Sequence, residues 1–138
     1  MTRIVLRTTA AIVTVSLALC CCSRPSSEEA ARAEAMAVAQ TCCDRLLEGD
    51  YDGFLAFMAG NEDLPHDYRE QLKDAYRMYI DSEMKSHRGI TGATVKRAQM
   101  DSTMNVMQVF VVLDYGDNTH EEIVMPMVST PEGQWIMK

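Results

Sequence analysis

The sequence lacks an apolar run long enough to cross a membrane. Its longest uncharged stretch is Thr8 to Ser23, of which Thr8 to Leu19 is the mostly apolar part, and a helical span needs roughly 20 apolar residues. Basic residues are scarce: 13 Lys and Arg stand against 20 Asp and Glu, a net charge of −7. A surface of that sign repels nucleic-acid phosphates and gives no electrostatic hold on an anionic membrane. No disulfide framework fits, because the five cysteines are odd in number and three of them, Cys20, Cys21 and Cys22, are contiguous. The other two, Cys42 and Cys43, are neighbours, and adjacent α-carbons about 3.8 Å apart lie below the usual disulfide span of about 4.4–6.8 Å. Neither has a histidine at metal-ligand spacing. No Ser-His-Asp or Cys-His grouping, Gly-rich phosphate loop, internal repeat or low-complexity tract occurs.

What is present begins with a leader. Arg3 and Arg7 precede the apolar stretch and no acid accompanies them; a basic start followed by roughly 7–15 apolar residues is the layout of a secretory signal peptide. The run ends Leu19-Cys20-Cys21-Cys22, which resembles a bacterial lipoprotein signal. There a leucine, two further residues and a cysteine mark the cut, and the cysteine becomes a lipid-bearing N-terminus. Cutting before Cys20 would leave bulky Leu19 where such signals carry a small side chain. Cutting before Cys22 leaves Cys21 there, with Leu19 three residues upstream. Cys22 is therefore the expected lipid attachment site and Cys21 the alternative, although Cys21 stands where Gly, Ala or Ser is usual. The resemblance implies an exported protein anchored by lipid in a bacterial membrane, the outer membrane being the expected one. Each buried methylene of an anchor contributes about 0.8 kcal/mol, and stable attachment takes more than one chain.

The expected organisation is thus a signal peptide over 1–21, a tether over 22–27 and one domain over 28–138. Losing 21 of 138 residues leaves 117, and losing Arg3 and Arg7 leaves 11 basic against 20 acidic residues, a net charge of −9. That length suits a single domain.

Ser27, Glu28 and Glu29 predict a helix start, with serine capping free N–H groups and the acids facing the positive end of the dipole. Ala35, Val38, Ala39, Cys42 and Leu46 form one stripe at helical spacing up to Gly49. A short aromatic helix follows over Tyr51 to Met58. Asp63 and Pro65 open a third, with Tyr68, Leu72, Ala75, Tyr76 and Tyr79 on its apolar side and Arg69, Lys73, Asp74, Arg77 and Asp81 on a solvated one. Beyond Gly92 the period becomes strand-like: Ala93 to Gln99, Met104 to Tyr115, Thr119 to Ser129 and Gln134 to Met137. The second of these is apolar on both sides, the pattern of a central strand covered on both faces. Pro126 requires an edge or a bulge.

Helices first and hairpin-linked strands second predict an α+β fold, with N-terminal helices packed on a curved antiparallel sheet of about four strands. This order resembles the cystatin-like or nuclear-transport-factor-like (NTF2-like) cone, specifically the lumazine-binding-like domains of small bacterial lipoproteins. Leu46-Leu47-Glu48-Gly49-Asp50-Tyr51, the long third helix, the strand Val106 to Tyr115 and the ending Glu132-Gly133-Gln134-Trp135-Ile136 carry the resemblance. Cones of this kind enclose a pocket, and Tyr51, Phe54, Tyr76, Tyr79, Phe110 and Trp135 are its expected lining.

Acid–base chemistry in such a pocket needs an inward carboxylate of raised pKa and a donor for the oxyanion. The strand interiors offer Val, Met, Phe and Leu instead. His66, His87 and His120 fall at element ends, as surface histidines do. Met104 and Met107 lie an odd number apart, so a strand sends them to opposite faces, and the 11 methionines read as core filling rather than as a copper site. The expectation is a lipid-anchored, non-catalytic cone with no cofactor and no metal, binding a small apolar ligand or an envelope protein. The alternative is an enzyme of ketosteroid-isomerase or polyketide-cyclase type. Trp135 is expected to tie the last strand against the helices; an exposed ring at a partner surface is its other reading.

Overall fold

A computed structural model describes residues 26–138. The leader, Cys20 to Cys22 and the tether as far as residue 25 lie outside the described residues. Three helices come first: α1 (Ser27–Leu47), α2 (Tyr51–Leu55) and α3 (His66–His87), with a single 3-10 turn at Asn61–Asp63. Four strands follow: β1 (Ile90–Asp101), β2 (Val106–Tyr115), β3 (His120–Ser129) and β4 (Trp135–Met137). They pair in chain order as an antiparallel meander. This is the α+β architecture that the order of elements predicted.

The cap of α1 is Ser26, whose Oγ accepts from the Glu29 N–H at 3.2 Å, so Ser27 is the first helical residue rather than the cap. Ala35, Ala39, Cys42 and Cys43 are buried against the sheet. These small side chains let the helix approach closely. Along β2, Met107, Val109, Val111, Leu113 and Tyr115 are buried and the residues between them are not. They meet Leu55, Met127 and Met137 in one core. The sheet bends at a register shift between Val95 and Arg97, as a bulge bends a strand. Gln40 serves the free edge of β1 beside that bend. Its amide donates to the Ala93 carbonyl (2.8 Å) and accepts from the Val95 N–H (3.0 Å), much as another strand would.

Two expectations change. The strand β2 is covered by helices on one face only; on the other, the Arg97 guanidinium lies 3.3 Å from the centre of the Phe110 ring and pairs with Glu122. A cationic plate takes the place of a second layer. The expected solvated side of α3 is not uniformly solvated either, since Lys73 is largely covered and bonds Asp52 and Glu70. Pro126 needs no bulge. Its carbonyl accepts from the Lys138 N–H at 2.9 Å, on the side where β4 ends, so the donor it lacks faces the last residue of the chain rather than a full ladder.

Candidate functional site: an apolar cavity beneath α3

The third helix is amphipathic, yet none of its 22 residues is buried. It is held at its start, middle and end. Near its start Arg69 donates to the Asn61 carbonyl at 2.8 Å; at its middle Tyr76 meets Phe54 edge-on at 4.7 Å and Arg77 lies 5.3 Å from the centre of the Tyr51 ring. At its end the β2–β3 hairpin closes on it. The Gly116 N–H donates to the Gly89 carbonyl and the Asp117 N–H to the His87 carbonyl, at 2.9 and 3.0 Å. A Cβ at position 116 would lie 2.5 Å from the Arg88 carbonyl oxygen, so this junction requires glycine there.

Between α3 and the sheet lies a cavity of about 200 Å³. Tyr76 and Tyr79 roof it; Cys43, Leu46, Leu47 and Phe54 form one wall; Ile90, Ala93, Leu113, Ile123 and Met125 form the floor. None of these side chains carries a charge at neutral pH. Burial, with a smaller push from Asp44, raises the Cys43 thiol to about 11. Burial likewise raises Tyr76, and it raises Tyr79 together with the charges of Glu83 and Glu121. All three lining groups therefore stay neutral.

A polar cluster sits beside the cavity rather than in it. The Tyr115 hydroxyl donates to Glu121 Oε2 at 2.9 Å, and the Tyr115 ring stacks on His87 at 4.7 Å. Burial raises the Tyr115 phenol, and its bond to the Glu121 carboxylate adds to the rise. His87 is consequently a half-buried joint, not the free surface histidine its position implied. Glu121, the acid in this cluster, is exposed.

Of the six expected lining residues, Phe54, Tyr76 and Tyr79 come together here. Tyr51 does not, because it turns toward Arg77. Phe110 is on the opposite face of the sheet under Arg97. Trp135 lines a separate groove between α1, the end of α2 and β4. The floor residues Leu113, Ile123 and Met125 were missed, although alternation along β2 and β3 carries the signal. Their register pairs, Ala93 with Leu113, Val111 with Ile123 and Val109 with Met125, put them on the helix side. Among the described residues no cluster of His, Cys, Asp or Glu could hold a metal, and no helix is long and apolar enough to cross a membrane.

Helices roofing one face of a curved four-stranded meander define an NTF2-like cone. The chain is similar in fold to a solved protein from Campylobacter jejuni, provisionally described as an NTF2-like transpeptidase. The TM-score is 0.57 at 8% sequence identity, over 73% of this chain and 94% of that one. No protein-family model matches the sequence, and no curated protein gives a match.

Proposed function

We propose that this is an exported lipoprotein whose NTF2-like cone binds a small apolar ligand without transforming it. The observation that carries the reading is the lining of the cavity beneath α3, made of aliphatic, aromatic and thiol groups that stay neutral. A volume of about 200 Å³ falls below the roughly 300–1,000 Å³ of pockets for drug-sized ligands. It suits a short hydrocarbon or a single ring. Acid–base turnover of isomerase or cyclase type needs a titrating group within reach of the substrate; the two acids whose charges reach the roof, Glu83 and Glu121, are not among the residues lining the cavity, and Glu121 is exposed and engaged by Tyr115. The lipid-anchor part of the reading rests on the leader and on Cys22, with Cys21 as the alternative.

Titration of the full-length protein with an environment-sensitive apolar dye tests the pocket. Saturable enhancement is expected, competed by short fatty acids. Ala93→Phe, which fills the floor, should abolish it with the far-ultraviolet spectrum unchanged. Enhancement that persists in Ala93→Phe would place the dye elsewhere and end this reading.

A further inference from the structure

We infer that the groove beside β4 is a docking site for an extended basic segment of a partner protein. Two adjoining cavities, about 530 and 390 Å³, share Ala56, Gln134 and Ile136. The first holds the rings of Phe57 and Trp135 together with Glu34; the second holds Glu62, Asp63 and Glu132. Neither is lined by Lys, Arg or His. Of the neighbouring cations, Arg69 donates to the Asn61 carbonyl and Arg32 pairs with Glu28. Four carboxylates and two aromatic rings, outnumbering the single guanidinium of Arg69 at the edge of the second cavity, are complementary to lysine or arginine side chains, through ion pairing and cation–π contact. Such contacts inside the protein use Tyr51 and Phe110, which leaves the rings of this groove unclaimed among the described residues.

The main chain argues for an extended peptide rather than a small amine. Gln134 and Lys138 direct their polar groups toward β3, bonding the Thr130 N–H (2.7 Å) and the Pro126 carbonyl (2.9 Å). Met137 directs its own outward, to the Phe57 carbonyl (2.7 Å) and the Ala59 N–H (2.8 Å). Strand alternation sends the N–H and C=O of Trp135 outward as well, and there they meet no partner among the described residues. A donor and acceptor without an internal partner at a sheet edge form the template on which a partner strand adds, while flanking pockets read its side chains.

The chain has one tryptophan, so the groove reports on itself. Full-length protein is titrated with a capped peptide of alternating lysine and valine while Trp135 emission is followed. A saturable, salt-sensitive change is expected, with no response to the glutamate–valine counterpart. Glu62→Lys combined with Glu132→Lys should weaken binding about tenfold, the scale of reversing close charge pairs at an interface, at an unchanged melting temperature. Glu48→Lys, at the far end of α1 from Glu34, should not weaken it. Three outcomes would overturn the inference: no response to the lysine peptide at low salt; equal weakening by Glu48→Lys, which would make the attraction one of net charge; or equal affinity for lysine amide alone, which would make the site one for small amines.

Discussion

His87 Nδ1 lies 3.0 Å from Asp117 Oδ2, joining the end of α3 to the β2–β3 hairpin across 30 residues of sequence. The same carboxylate accepts from the Thr119 hydroxyl and the Thr119 N–H. Those bonds, the Thr119 hydroxyl first, hold the Asp117 carboxyl near 2 against an ordinary 3.8. A depressed acid contributes stability above its unfolded pKa, and that contribution fades as protonation overtakes the folded group. Asp117→Asn should therefore melt below the parent at neutral pH. The gap should persist down to about pH 4 and close between there and about pH 2. A gap independent of pH across that window would show that the carboxylate charge is irrelevant to the joint.

The roof should be the least protected helix. With no buried residue in α3 and a core concentrated on α1, α2 and β2, local opening of α3 needs little of the global unfolding free energy. Hydrogen exchange should be faster along α3 than along α1, and slowest in β2. Substitutions should rank the same way. Leu55→Ala, at a fully buried site, should cost about 2–5 kcal/mol, and Tyr76→Ala, half-buried at the roof, about 1–2 kcal/mol by its smaller buried area. Equal protection of α3 and β2 would contradict this.

Cys42 and Cys43 are free and buried thiols. Burial raises them to about 12 and about 11, and a thiol reacts through its thiolate. Peptide mapping after alkylation of the native protein at pH 8 should find both unmodified, and both labelled in denaturant. The melting temperature should not change with reductant. Labelling of the native pair would mean that α1 leaves the sheet readily.

Cys22→Ala should abolish incorporation of radioactive fatty acid and leave an unprocessed precursor. Undiminished labelling of that variant would move the attachment to Cys21 or Cys20.

The fold was legible where periodicity was strong. The stripe Ala35, Ala39, Cys42 placed α1, and alternation with turn residues placed the strands in order. What one sequence hides is which elements end up facing each other. Phe110 and Leu113 are equally apolar neighbours on β2, yet one meets Arg97 and the other the cavity, because parity on a strand sets the side but not what covers it. Tyr51 and Phe54 share a helix of 5 residues, and only the packing of α3 decides which of the two rings faces inward. The covered face of Lys73 was invisible for the same reason, since its partner Asp52 is 21 residues away.

Trp135 is the remaining test, because it belongs to both the fold and the groove. It shares the inward side of β4 with Met137, which is buried, but is itself only half-buried beside Phe57 and Val38. The expectation of a fully inward anchor, costing about 3–5 kcal/mol on truncation, therefore needs scaling down. A large aromatic side chain buries about 150–250 Å² when enclosed. Half of that at about 25 cal/mol per Å² gives about 2–3 kcal/mol for Trp135→Ala. The strand should survive, because the Met137 N–H and C=O remain bonded to Phe57 and Ala59 and its side chain stays in the core. Trp135→Phe should recover most of the loss. Emission of the native protein should lie between that of a buried and a free indole and remain open to quenching by iodide. Fully shielded emission would close the groove to any partner, and free-indole emission with no loss of stability in Trp135→Ala would remove the ring from the fold.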